Sequence, residues 1–445
     1  MRKLLIAAVA VLVFAPAAAT APQHRSDNTV RFATFNLSLN RSAAGLLVEH
    51  LSHPEVDDVF RRQARNNAEV IQRNRPDVLL INEFDFAPEA VDLFRRNFLE
   101  VSQNGAPPIH YPYAYVAPSN TGIPSGKDLF NDGSVGGPND AFGFGFFPGQ
   151  FGMVVYSKYP IVTHRVRTFQ LFRWKDMPGA LLPDDPRTPA PADWYSPDEL
   201  DIFRLSSKSH WDIPIRIRGK TVHFLTSHPT PPVFDDPSPT QPHIPPGVDF
   251  NGKRNHDEIR FWADYISGGR QARYIYDDAG KHGGLKRGAR FVIAGDQNSD
   301  PLDGDSIPGS IQQLLDHPRV NTSKTPESLG APEAAQLQGG ANASHRSDPR
   351  FDTADFADNT PGNLRADYVL PSKKIEILDS AVFWPLRTDP LFRLTGEFIL
   401  PVSANPWIAV GGFPTSDHRL VWVDTKLAGR DRDDDDDDHD EDDDD

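Results

Sequence analysis

The sequence predicts an α/β fold built in layers. Strand, helix and strand patterns follow one another between residues 29 and 86, the succession on which layered α/β domains are built. Apolar runs then recur along the chain and stop at lone polar residues. No Pro/Ser-rich linker separates independent patterns, so residues 29–427 are expected to form one domain with long insertions.

The elements can be justified in order. TVRFATFNLSL (29–39) is rich in β-branched and aromatic residues and reads as a strand ending near Asn36. Val56, Phe60, Ala64, Ala68 and Ile71 recur every three to four residues, which predicts an amphipathic helix over 56–74, broken at Pro76. RPDVLLINEFDF (75–86) then gives a buried strand that reaches Glu83. Residues 118–149 are dense in Gly, Pro, Asn and Asp and read as a long loop, a kind of segment that is usually functional or disordered. QFGMVVYSKYPI (150–161) is a strand, and 176–198 is irregular. DIPIRIRGKTVHFLTSHPTPP (212–232) reads as a hairpin turning at Arg218–Gly219–Lys220, its second strand stopped by the prolines after His228. RNHDEIRFWADYIS (254–267) places Ile259, Trp262 and Ile266 on one helical face. FVIAGDQNSDP (291–301) drives four apolar residues into Asp296 and Asn298. Residues two apart at a strand end share a face, although these residue types are also ordinary turn formers. ADYVLPS (366–372) and HRLVWVD (418–424) supply the last strands.

The chain begins with MRK, LLIAAVAVLVF and APAAATA. A basic start, an apolar run and small residues predict a signal peptide over 1–21 and a secreted protein, periplasmic or extracellular. No other apolar run reaches membrane-spanning length, so no transmembrane segment is expected. Cysteine is absent, which excludes disulfides, thiolate catalysis and cysteine-ligated zinc. Thirteen acids and one arginine give 431–445 a charge of −12, and Arg2 and Lys3 give the leader +2, so a net −16 leaves −6 for the body. That balance is unlike the basic surface of a strong nucleic-acid binder. Residues 428–445 are expected to be a disordered Asp-rich tail, with weak calcium binding as the alternative.

Strand ends now stand out together: Asn36, Glu83, His228, Asp296, Asn298, Asp367, and Asp417 with His418. Each alone is an unremarkable cap, turn or solvated end. Together they suggest one rim of a layered sheet, where such folds often place their sites. The segments TFN, NEFD, TSHPTP, GDQNSDP, RADYVLPS and SDHRLVWVD, in this order across 29–425, resemble the endonuclease/exonuclease/phosphatase superfamily. The resemblance implies a four-layer α/β/β/α sandwich, two packed mixed sheets with outer helices. It also implies phosphate-ester hydrolysis aided by a divalent metal, Mg²⁺ first, with Mn²⁺ or Ca²⁺ as alternatives.

By the same resemblance Glu83 binds the metal, Asn36 lies near it and holds the metal or the phosphate, and Asp417 is a further metal-adjacent carboxylate. Asp296 orients or deprotonates the attacking water, and Asn298 steadies Asp296 or donates to a phosphoryl oxygen. His228 and His418 face the phosphate, and a protonated ring there supplies charge and a donor. Asp367 pairs with His418 and raises its pKa. The chain departs from the pattern at Asn82, where many members carry glutamine, and at Asp85, expected at the metal or merely at the rim. Lys208 and His210 are expected on a strand surface, with a phosphate contact as the alternative.

These readings predict a secreted, monomeric, divalent-metal-dependent hydrolase of small phosphate esters, a phosphomonoesterase or phosphodiesterase. An extracellular nuclease cutting DNA or RNA is the first alternative, and a basic groove beside His228 would favour it. A lipid-head-group phosphodiesterase would want an exposed aromatic wedge. A non-catalytic calcium- or surface-binding protein would have no need to keep the rim residues together.

Overall fold

Alternation along the first strand sets the layer order. In β1 (Thr29–Leu39), Val30 and Phe32 join an apolar cluster with Phe224 and Val292, while Ala33, Phe35 and Leu37 join another with Leu51, Ala68 and Phe94. One face therefore meets a second sheet and the other meets helices, so the strand is apolar on both sides. The computed structural model describes residues 28–396 and 409–427. The leader expected over 1–21 and the tail expected over 428–445 lie outside the described residues.

In chain order the further strands are β2 (Val78–Phe84), β3 (Tyr113–Tyr115), β4 (Met153–Ser157), β5 (Arg167–Thr168), β6 (His210–Ile217) and β7 (Lys220–Ser227). They continue with β8 (Arg290–Asp296), β9 (Ala354–Asp355), β10 (Asn363–Leu364), β11 (Asp367–Pro371), β12 (Ile375–Val382) and β13 (Val421–Leu427). One sheet has the order β12-β13-β1-β2-β4-β3, the other β11-β8-β7-β6-β5, and β9 pairs with β10 alone. Both large sheets are mixed: β1–β2 and β7–β8 run parallel among antiparallel neighbours.

Helices α1 (Leu46–Ser52), α2 (Val59–Asn74) and α3 (Pro88–Phe94) cover the outer face of the first sheet. The short α4 (Pro197–Leu200) lies in a long connection, and α5 (Phe250–Ser267) and α6 (Gln312–Leu315) cover the second sheet through Ile259, Trp262 and Leu314. The last helix, α7 (Gly330–Gln338), sits in the connection before β9. Between the sheets Phe32 meets Phe224, ring centroids 5.8 Å apart. Each such buried ring contributes about 1.5–3 kcal/mol. The layers run helix, sheet, sheet, helix, as the four-layer expectation requires. Among the described residues, no helix is long and apolar enough to cross a membrane.

Two helix starts differ from the expected bounds. Asp58 caps α2 by accepting the Arg61 amide at 2.8 Å, so the helix begins at Val59 and leaves Val56 exposed. Phe250 begins α5 four residues early, and the helix buries Arg254, Asn255, Asp257 and Glu258 beside its apolar face. The β6–β7 hairpin turns where expected, on Arg218 and Gly219, with φ of 50° and 81°.

Candidate active site

At the rim, β1 and β2 bulge together. Their register pairs Asn36 with Asn82 and then jumps to Leu39 with Phe84. Ser38 and Glu83 adopt φ of 47° and 56°, a left-handed conformation that costs a non-glycine residue about 1–2 kcal/mol. The irregularity breaks strand alternation: Phe84 joins the helix-side core while Glu83 lines the rim cavity. From the other sheet, Asp367 and Asp296 sit directly opposite each other across β11 and β8. Gly295 permits this approach. At its φ of 148° a Cβ would fall 2.0 Å from the Ser227 carbonyl oxygen, so β8 passes β7 only with glycine here.

Asp296 is the centre of the arrangement. Its Oδ2 accepts from the Asn36 amide at 3.2 Å and lies 3.3 Å from His228 Nε2 and 3.5 Å from His418 Nε2. Its Oδ1 accepts the Asn298 backbone N–H at 2.9 Å, a turn made possible by the Asn298 φ of 50°. Asn82, noted only as a departure in the sequence, ties the sheets together. Its Oδ1 accepts from Thr34 Oγ1 and from the Asp296 backbone N–H, each at 3.3 Å. Burial opposes ionisation of Asp296, but the His418 cation, and then His228 with its hydrogen bond, outweigh it and hold its pKa below the usual carboxylate range.

The two histidines differ. His418 Nδ1 donates to Asp367 Oδ2 at 2.8 Å, and that oxygen also accepts from Thr353 Oγ1 at 2.9 Å. Burial works against the His418 cation, yet Asp367 and then Asp296 raise its pKa well above the ordinary value. Burial, followed by the Lys208 cation, pushes His228 down to about 4. Only one of the two expected phosphate-facing rings is thus held in the charged form. Asn298 turns its side-chain amide away from Asp296 and donates to the Pro229 carbonyl at 3.0 Å.

Glu83 receives one hydrogen bond, from Asn36 Nδ2 at 3.1 Å. Loss of solvation, and then the negative charge of Asp417, lift its pKa to about 7. Two carboxylates crowded together with few donors fit a hard divalent cation, which takes oxygen ligands. Asn36, expected at the metal or the phosphate, accepts the Ser38 amide on Oδ1 at 3.1 Å, and its Nδ2 donates to Glu83 and Asp296. Asp417 accepts from Ser38 Oγ at 3.2 Å. Asp296, Asp367 and His418 form a second, buried group whose ligand atoms lie within 4.8 Å of one another.

Several residues depart from the first expectation or give no signal in the sequence. Lys208 and His210 are buried, not on a strand surface. Lys208 lines the cavity with His228 and Asp296, whereas His210 is a core residue bonded to Ser206 Oγ at 2.6 Å and to the Glu258 carbonyl at 2.9 Å. Asp85 accepts the backbone amides of Arg41 and Phe151, at 2.8 and 3.2 Å, and so fastens two loops at the rim. Glu258 went unnoticed. Fully buried on α5, it accepts the Ser207 and Thr230 amides, each at 2.6 Å, fixing the loops that carry Lys208 and His228. One cavity of about 1260 Å³ joins Glu83, Lys208, His228, Asp296, Asp417 and His418.

Among solved structures, the chain is similar to an endonuclease/exonuclease/phosphatase from Beutenbergia cavernae, at 16% identity and a TM-score of 0.45, over 90% of this chain and 72% of that one. It is also similar to an endonuclease/exonuclease/phosphatase family protein from Leptotrichia buccalis, at 13% identity and a TM-score of 0.42, over 89% and 99% of the two chains. A mannosyl-6-phosphatase from Bacteroides thetaiotaomicron aligns at 11% identity and a TM-score of 0.41, over 89% and 99%. Comparison with curated proteins gives no match. A profile described as the Endonuclease/Exonuclease/phosphatase family spans residues 33–418, from β1 through the His418 rim, and the chain belongs to that family.

Proposed function

We propose that the protein is a secreted hydrolase of small phosphate esters that works with a divalent cation. The observation that carries this reading is the gathering of Glu83, His228, Asp296 and His418 from separate strand ends around one cavity, with Asp367 bonded to the far nitrogen of His418. Asp296, ionised and flanked by His228, His418 and Asn36, is placed to aim a water at phosphorus. Its depressed proton affinity suits aiming better than early deprotonation, so the water's proton passes to Asp296 only as the new P–O bond forms and the P–O bond to the leaving group breaks. His418 carries the charge for a phosphoryl oxygen, and its loose 3.5 Å contact with Asp296 leaves Nε2–H free to turn to substrate. His228, neutral, contributes a donor without charge. Glu83 and Asp417 would hold the cation, which when bound supplies positive charge to the phosphoryl and leaving oxygens.

Charge around the cavity favours a small substrate over a nucleic acid. Besides the histidines, its lining cations are Lys208 and Arg254. Arg254 commits its Nε and Nη2 to the carbonyls of Leu205, Phe142 and Arg204. Asp236, Asp300 and Asp305 line the same space and oppose a polyanion.

The test is hydrolysis of 4-nitrophenyl phosphate, bis(4-nitrophenyl) phosphate and plasmid DNA by purified protein, each with Mg²⁺, Mn²⁺, Ca²⁺ or chelator. Metal-dependent release from a small ester with intact plasmid is expected, and Asp296→Asn should abolish it while keeping the fold. Nicked plasmid would favour the nuclease, and an Asp296→Asn variant of full activity would refute the assigned role.

A further inference from the structure

We propose that the substrate carries a bulky apolar substituent on its phosphate, and that the cavity beyond the catalytic rim receives it. The inference rests on the phosphoesterase reading above. The cavity, about 1260 Å³, exceeds the roughly 300–1,000 Å³ of common ligand sites, and a phosphoryl group fills little of it. Away from the rim it is walled by Leu129, Phe130, Phe203 and Phe250, all buried. Phe130 and Phe250 already pack edge to face, centroids 6.2 Å apart.

Phe144 and Phe234 belong to the same lining yet stay 49% and 75% exposed. Phe234 does so at φ 73°, a costly conformation for a bulky residue. The chain therefore bears strain where it presents a ring to whatever enters. Lys208 belongs to the catalytic end, close enough to depress His228, and Arg254 gives its Nε and Nη2 to backbone carbonyls. Among the described lining residues the aromatic walls add no cation beyond Arg254, whose Nε and Nη2 already donate to carbonyls. An apolar group finds ring surface to remove from water.

The experiment titrates full-length protein, in Mg²⁺, with methyl-, butyl- and octylphosphonate by calorimetry, which needs no turnover. Affinity should rise by up to about fourfold per buried methylene, and by about 100-fold or more across the series, with a negative heat-capacity change. Equal affinities would overturn the proposal. In parallel, 4-nitrophenyl alkyl phosphates keep the leaving group constant while the alkyl chain grows. Hydrolysis without any chain-length effect would overturn the apolar inference and leave the phosphoesterase reading standing. Chain-length-dependent binding without hydrolysis of any ester would do the reverse.

Ala141→Trp, a substitution in the cavity lining, should shrink the octyl-to-methyl affinity ratio by about tenfold, the loss of one or two buried methylenes. An unchanged ratio in a folded variant would overturn the proposal. Phe234→Ala at the exposed mouth provides the same ratio test should the tryptophan prevent folding.

Discussion

Replacing Asp367 by asparagine isolates the charge that holds His418. The carboxylate accepts from His418 Nδ1 at 2.8 Å and from Thr353 Oγ1 at 2.9 Å through one oxygen, Oδ2, while its buried Oδ1 has no hydrogen-bond partner. Thr353 is fixed in turn, since its hydroxyl oxygen accepts the Ala366 and Asp367 amides at 2.9 Å. Asparagine keeps the shape and can offer its oxygen to both donors, leaving the new amide NH₂ where Oδ1 stood. At an effective dielectric of about 20, unit charges 4 Å apart attract by about 4 kcal/mol, and a closer pair by more. Breaking one side of a buried pair typically costs about 3–5 kcal/mol, and the stranded NH₂ adds about 1–3. Asp367→Asn should therefore fold with a lowered melting temperature, and kcat on a chromogenic ester should fall by about 10²–10⁴. Nitrogen-15 spectra of the His418 ring should report the loss of its cation near neutral pH. A ring that stays charged, with kcat changed by only a small factor, would refute this account of the dyad.

Two further changes test the scaffold. Glu258→Gln leaves one of the Ser207 and Thr230 amides facing an NH₂ instead of an oxygen, so urea denaturation should show a loss of about 1–3 kcal/mol, and kcat/KM should fall as the Lys208 and His228 loops loosen. His210 supplies a pH dependence: burial lowers its pKa from 6.5 to about 4, so between these values the unfolded chain binds a proton that the native ring refuses. Stability should then fall as pH drops through that window, by about 3 kcal/mol at about 1.4 kcal/mol per pH decade. A His210→Gln variant should lose that part of the acid slope in denaturation curves measured from pH 7 to 4, and an unaltered slope would contradict it.

The rim was legible because its signals are local. A strand that ends in Gly-Asp-x-Asn, or in Ser-His-Pro, names its end residues within a few positions, and Asp296 and His228 come together once the strands pair. The layer order was legible in part from the amphipathic pattern of 56–74, which α2 realises against the first sheet. Glu83 was found, but not the reason it reaches the site, because its φ of 56° depends on a bulge shared with Ser38 on another strand. Glu258 was hidden for a different reason. The polar stretch RNHDE reads as the solvated side of an amphipathic helix, and only partners 28 and 51 residues away turn it into a buried clamp. Lys208 was misplaced likewise: a lysine is rarely buried without charges near it, and the nearby carboxylates Glu258, Glu83 and Asp296 arrive from three distant segments.

The two histidines acquire unlike charge states from the same seam between sheets. Both rings approach Asp296 Oδ2, at 3.3 and 3.5 Å, so Asp296 alone cannot distinguish them. The difference comes from their other neighbours. His418 has Asp367 at its second nitrogen, whereas His228 has an unpartnered Nδ1 and the Lys208 cation nearby. Two cationic rings around one carboxylate would repel each other and Lys208. One cation and one neutral donor avoid that repulsion while still saturating Asp296 Oδ2. Lys208 and Asp367 thus favour charge on His418 over His228, and the ring proposed to meet a phosphoryl oxygen owes its charge to residues that need not touch substrate.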